Sequence, residues 1–252
     1  MSTEMRHALP LALLLLAGCD ATQPNPAANA QREDKPAFPK ADRPVATIVS
    51  ARWSTEEARD RLNEAELVMD KASIAAGMTV ADIGAGEGYY TIRLAQRVGP
   101  DGRVLAEDII PQIRDALAQR VARERLDNVS VRLGEPDDAK LPIDSFDRVL
   151  MVHMYHEIAE PYAFLWNLRP SLRSGGQVVV VDADRRTQNH GTPPALLKCE
   201  FEAVGYKLVE LQKMPSAGGY IAMFTPDGAR PEPKTIVPCR VPTPGATPSP
   251  KG

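Results

Sequence analysis

Aromatic side chains make up only 5% of the 252 residues, and a formal net charge of −3 leaves no basic excess. A nucleic-acid partner therefore has neither electrostatic attraction nor a platform for stacking bases. No G-x-x-x-x-G-K-[ST] and no G-x-S-x-G occurs, which removes P-loop nucleotide chemistry and an elbow-type serine nucleophile. Cysteine is scarce. Cys19, Cys199 and Cys239 stand at spacings that carry no metal or redox motif. An oxidising compartment permits a bond between Cys199 and Cys239, yet Cys239 falls in a Pro-rich end, and two unpaired thiols are expected. The apolar run over residues 8–17 is too short to span a bilayer as a mature helix.

That run follows Arg6 and His7, which gives residues 5–19 the shape of a signal peptide. Leu16-Ala17-Gly18-Cys19 resembles the bacterial lipobox. The resemblance implies lipidation of Cys19 and a lipoprotein anchored beyond the inner membrane, on the periplasmic side; a true start further downstream would leave the domain cytoplasmic. Asp20 resembles the signal that retains such proteins at the inner membrane. The expected organisation is a signal peptide over 1–18 and a flexible tether over 19–50, rich in Pro, Ala, Asn and Gln. One domain over 51–225 and a Pro-rich disordered tail over 226–252 complete it.

The domain is organised around residues 80–90, V-A-D-I-G-A-G-E-G-Y-Y. A short apolar strand runs into a loop with Gly84, Gly86 and Gly88, and apolar residues at helical spacing follow over 89–98. This is the first half of a βαβ unit. Gly99-Pro100-Asp101-Gly102 makes a turn, and a second strand ends in Glu107-Asp108. An acid about 20 residues after the glycine loop, at the carboxyl end of the neighbouring strand, can accept both hydroxyls of a ribose.

Before this core, Ser54 with Glu57 forms a capping box for a helix running to about residue 71. After it, Pro111 opens a helix to about residue 126, and strands follow over 128–133 and 146–152. A helix from Pro161, a strand over 177–182 behind Gly175-Gly176, a helix over 195–204 capped by Thr192-Pro193-Pro194, and strands over 206–211 and 219–224 complete seven strands. The uninterrupted Val178, Val179, Val180 and Val181 fit a strand buried on both faces. The fold class is α/β: a Rossmann-like sheet, mostly parallel with an antiparallel last strand, with helices on both faces.

D-x-G-x-G-x-G with Asp82 in front resembles motif I of the class I S-adenosylmethionine (SAM)-dependent methyltransferases. G-R-V-L-A-E-D-I-I-P, L-P-I-D-S-F-D-R-V-L and L-R-S-G-G-Q-V-V-V-V-D are similar to later signatures of that family, in its order. The resemblance implies SAM as cofactor, held by Asp82, Gly84, Ala85, Gly86 and Gly88. It places Asp108, followed by Ile109, on the ribose, with Glu107 as the alternative. Asp137 and Asp138 are candidates for the adenine amino group. His153, Tyr155 and His156 leave the fourth strand at the ligand-binding edge, and the resemblance implies a catalytic role among them, as a base for the acceptor or as a wall of its pocket. His153 and His156 are not in H-E-x-x-H order and no third ligand is evident, so no metal is expected.

The expected activity is methyl transfer to a small-molecule acceptor. A lipid-anchored, catalytically inactive binding module is the alternative, because SAM is made in the cytoplasm. An NAD-dependent oxidoreductase is disfavoured by Tyr89, which stands where a dinucleotide loop has its last glycine.

Overall fold

A computed structural model describes residues 36–48 and 55–240. The lipobox, Cys19 and Ser54 lie outside the described residues. Strands β1 (Thr79–Ile83), β2 (Arg103–Asp108), β3 (Val129–Leu133), β4 (Phe146–Val152), β5 (Leu172–Asp182), β6 (Tyr206–Met214) and β7 (Gly219–Pro226) form one sheet in the order β3-β2-β1-β4-β5-β7-β6. The β1, β2, β3, β4 and β5 pairings are parallel, and β7 runs antiparallel between β5 and β6. The strand order reverses at β1 and β4, and in an open α/β sheet the carboxyl ends at such a point hold the ligand.

Helices α1 (Glu56–Arg61), α2 (Glu64–Lys71), α3 (Tyr89–Val98), α4 (Pro111–Arg123), α5 (Pro161–Leu168) and α6 (Pro194–Ala203) surround the sheet. Val178, Val179, Val180 and Val181 are all fully buried, as a central strand requires. Val178 and Val180 pack among Phe164, Leu165 and Phe201 of α5 and α6. Val179 and Val181 face the opposite side, with Val68, Met69 and Leu94 of α2 and α3.

Several local expectations change. The helix expected up to residue 71 is broken in two, because Asn63 takes the left-handed conformation at φ 53°. Its cap is Thr55, whose hydroxyl accepts the Ala58 N–H at 3.2 Å. Gly175 and Gly176 do not end a turn before β5 but lie within it, where the β4 pairing skips from Leu172 to Gln177. A Cβ on Gly176 would stand 2.7 Å from the Phe146 carbonyl oxygen, so the bulge requires the absence of a side chain there. Thr192 does not cap α6; its hydroxyl donates to Asp182 instead.

The packed body also extends beyond 51–225 at both ends. In the segment expected to be a tether, Arg43 and Ala46 are buried, Ala46 N–H donates to the His156 carbonyl at 3.1 Å, and Phe38 meets Trp166 edge-on at 5.5 Å. In the expected tail, Ile236 and Cys239 are buried, and the Cys239 N–H donates to the Tyr162 hydroxyl at 2.6 Å. Cys199 and Cys239 form a disulfide, so the expectation of two free thiols is corrected. Tail composition concealed this, since the few apolar residues that dock are separated by prolines.

Candidate functional site

The loop after β1 is built from its glycines outward. Gly88 starts α3 with φ +91°, and a Cβ there would lie 2.5 Å from Leu117 Cδ1 of α4. Both the backbone and the packing therefore need glycine. Asp82 sits beneath the loop, 3% exposed, and accepts the Thr91 hydroxyl of α3 at 2.6 Å. Burial raises its carboxyl to about 6. Asp82 does not line the cavity above; it ties the strand end to the helix.

That cavity has a volume of about 310 Å³ and opens over the carboxyl ends of β1, β2 and β4. Gly84, Ala85, Gly86, Asp108 and Ile109 line it. Asp108 accepts the Gly86 N–H at 3.1 Å and the Ile110 N–H at 2.9 Å, so its carboxylate is oriented by the loop on either side. Glu107 also lines the cavity. It is 1% exposed, its Oε1 has no hydrogen-bond partner, and burial pushes its carboxyl up to about 8. Gly134 makes room for it, since a Cβ there would collide with Glu107 Oε1.

In the loop after β3, Glu135 and Pro136 line the cavity and the expected Asp137 and Asp138 do not. Asp138 accepts the Lys140 N–H at 2.7 Å and pairs with the Lys140 ammonium at 3.3 Å. The Asp137 carbonyl accepts from Asn167 Nδ2 at 2.9 Å. The acid facing the cavity thus stands two residues before the nearer candidate, and the sequence offered no signal for which acid of the loop turns inward.

Of the three residues expected at the acceptor, only His153 lines the cavity, beside Met154, Ile158 and Phe164. Its backbone is left-handed at φ 55°, and burial holds its imidazole below the ordinary range, so the ring is neutral near pH 7. Tyr155 is fully buried in the core, and its hydroxyl donates to Glu200 Oε2 at 2.7 Å. His156 is 1% exposed, with Nδ1 on Asp182 at 3.0 Å. Period-two alternation does not carry past a strand end, which is why three neighbouring residues point three ways.

The helix expected ahead of β1 reaches the cavity as α1, through side chains the sequence did not single out. Glu56, Arg59 and Ile48 line the cavity on this side. Arg59 lies 3.8 Å above the Tyr89 ring and pairs with Glu64 at 2.6 Å. Glu56 meets Arg120 at 2.6 Å and Arg93 at 3.3 Å. None of the α1 side chains is buried, so polar contacts rather than a core hold this cover in place.

A family model described as a methyltransferase domain matches residues 74–226. The chain is 32% identical over 111 residues to an arsenite methyltransferase of Halobacterium salinarum, covering 44% of this chain and 28% of that protein. It is 30% identical over 114 residues to a protein-L-isoaspartate O-methyltransferase of Methanothrix thermoacetophila, covering 45% and 51%. The chain thus spans about half or less of these relatives' length. Among solved structures, a SAM dependent methyltransferase from Aquifex aeolicus superposes with a TM-score of 0.56 at 23% identity, covering 68% of this chain and 97% of that one. The [4+2]-cyclase SpnF superposes at 0.57 with 16% identity, covering 75% and 88%. These two likenesses are of fold.

Proposed function

The chain belongs to the methyltransferase domain family, and from that premise we propose that it transfers a methyl group from SAM to a small-molecule acceptor. The observation that carries this reading is the cavity over the glycine loop, with two acids from the end of β2 in its wall. These residues fit the cofactor that the family implies. Asp108 keeps lone pairs for two ribose hydroxyls while two backbone N–H groups fix its carboxylate. Glu107 Oε1 is a buried polar atom that a ligand group satisfies. Glu135 is the acid in reach of the adenine side.

SAM supplies an electrophilic methyl group on a sulfonium that departs as a neutral thioether. The chain's own task is to hold the acceptor in line with that methyl and to exclude water. Met154, Ile158 and Phe164 give the acceptor side an apolar wall. His153, neutral and on that wall, accepts the acceptor's proton. Calorimetric titration of SAM into the whole chain tests this. Micromolar binding, about −8 kcal/mol, is expected, weakened at least about 100-fold by Asp108→Ala and less by Glu107→Gln. No heat with SAM, together with binding of NADH, would overturn it.

The finer reading includes a lipid anchor at Cys19. Leu16-Ala17-Gly18-Cys19 supports it, and so does the Cys199–Cys239 disulfide, a bond that persists in oxidising compartments. Incorporation of a palmitate analogue that Cys19→Ala abolishes is the expected result; an unlabelled protein sinks the anchor.

A further inference from the structure

At the carboxyl end of β5, Asp182 is fully buried and its carboxylate gathers three donors. Ala183 N–H and the Thr192 hydroxyl each reach it at 2.8 Å, and His156 Nδ1 lies 3.0 Å and 3.1 Å from its two oxygens. A carboxylate accepts only, so Nδ1 bears a proton, and Nε2 is the nitrogen left to offer a lone pair to a metal. A carboxylate behind a histidine in this way fixes the ring's orientation, the arrangement found behind metal-binding histidines.

Two further ligands converge there. Glu157 follows in the chain, and His190 arrives from the loop after β5, its ring edge-on to His156 with centroids 5.5 Å apart. One ligand atom from each of His156, Glu157 and His190 lies within 4.8 Å of the others. We propose that these three side chains bind a divalent transition-metal ion of the zinc class.

Two imidazoles and a carboxylate suit such an ion and leave a coordination position open. Ligands at zinc distance stand about 3.4 Å apart in a tetrahedron, so the set closes by up to about 1.4 Å on the ion. Glu157 and His190 are half-buried and supply that movement, while Asp182 holds His156 still. Because Glu157 also lines the cavity, the ion sits at its wall. A hydroxyl of the acceptor coordinated there becomes more acidic. The proposal does not depend on the methyl-transfer reading.

The test uses the untagged full chain, stripped with chelator and titrated with Co²⁺ by visible absorbance and with Zn²⁺ by competition. One ion per chain with visible ligand-field bands is expected. His190→Ala and Glu157→Gln each weaken binding about 100-fold or more, and Asp182→Asn weakens it about 10- to 100-fold. Circular dichroism checks the fold; if Asp182→Asn unfolds, the two half-buried positions carry the test. Absence of ligand-field bands, or variants that bind as the wild type does, overturns the site and assigns any uptake to other groups such as His7 and Cys19. SAM titration of the same preparations reports on the methyltransferase reading separately, since the acids of β2 take no part in the triad.

Discussion

Arg43 Nε donates to Glu200 Oε1 at 2.8 Å across 157 residues of sequence, and neither side chain has any exposure. The same guanidinium donates to the Ile158 carbonyl at 3.2 Å, and the second oxygen of Glu200 takes the Tyr155 hydroxyl. One buried ion pair thus pins residues 36–48 to α6 and to the turn that carries the acceptor wall. Arg43→Met strands the Glu200 carboxylate and is expected to cost about 3–5 kcal/mol in urea unfolding. The Arg43→Met/Glu200→Gln double variant recovers part of that loss. Equal unfolding midpoints for wild type and Arg43→Met would show that this segment does not hold the domain.

Glu107 makes stability depend on pH. Below about 4.5, the ordinary value, its carboxyl is protonated in the folded and unfolded chains alike and has no effect. Between 4.5 and 8 the unfolded chain releases the proton while the folded chain retains it, so stability falls as pH rises through that window. Glu107→Gln removes the penalty. The variant is expected to gain on the order of 2–4 kcal/mol over wild type at pH 9 and little at pH 4. Thermal melts across this range decide it, and a gain that is the same at both ends contradicts a buried neutral acid.

The disulfide closes a loop spanning 40 residues from Cys199 to Cys239. A crosslink of that length stabilises by about 3–4 kcal/mol through the unfolded chain. Reduction, or Cys239→Ser, is expected to lower the melting temperature and to expose the segment beyond β7 to protease first, because the bond ties its end to α6. Protection of that segment in the reduced protein would show that packing alone suffices.

His153→Gln separates chemistry from binding. With any acceptor that the wild type methylates, kcat is expected to fall about 10²- to 10⁴-fold while SAM affinity is retained. In the wild type the same step is lost as pH drops through the lowered range of the His153 imidazole, because the base is then protonated. A raised KM at unchanged kcat would instead make His153 a wall of the acceptor pocket.

What the sequence determined by itself is the part governed by short-range rules. Four Val in a row, glycines at every second position after Asp82 and an acid pair ending β2 specify a buried strand, a tight loop and a ligand edge, because backbone conformation and burial period are set within a few residues. The structure has Gly84, Ala85, Gly86, Asp108 and Ile109 in the cavity lining, and seven strands in one sheet whose order was left to the long-range pairings. Tertiary structure alone decided which way side chains turn once a strand has ended. It sent Tyr155 to Glu200 and His156 to Asp182, left His153 on the cavity, and chose Glu135 over Asp137 and Asp138. It also joined Cys199 to Cys239 and brought His190 beside His156. These choices follow from partners far apart in the chain: a buried polar group goes where another element supplies its hydrogen bond, and local sequence does not record where that element lies.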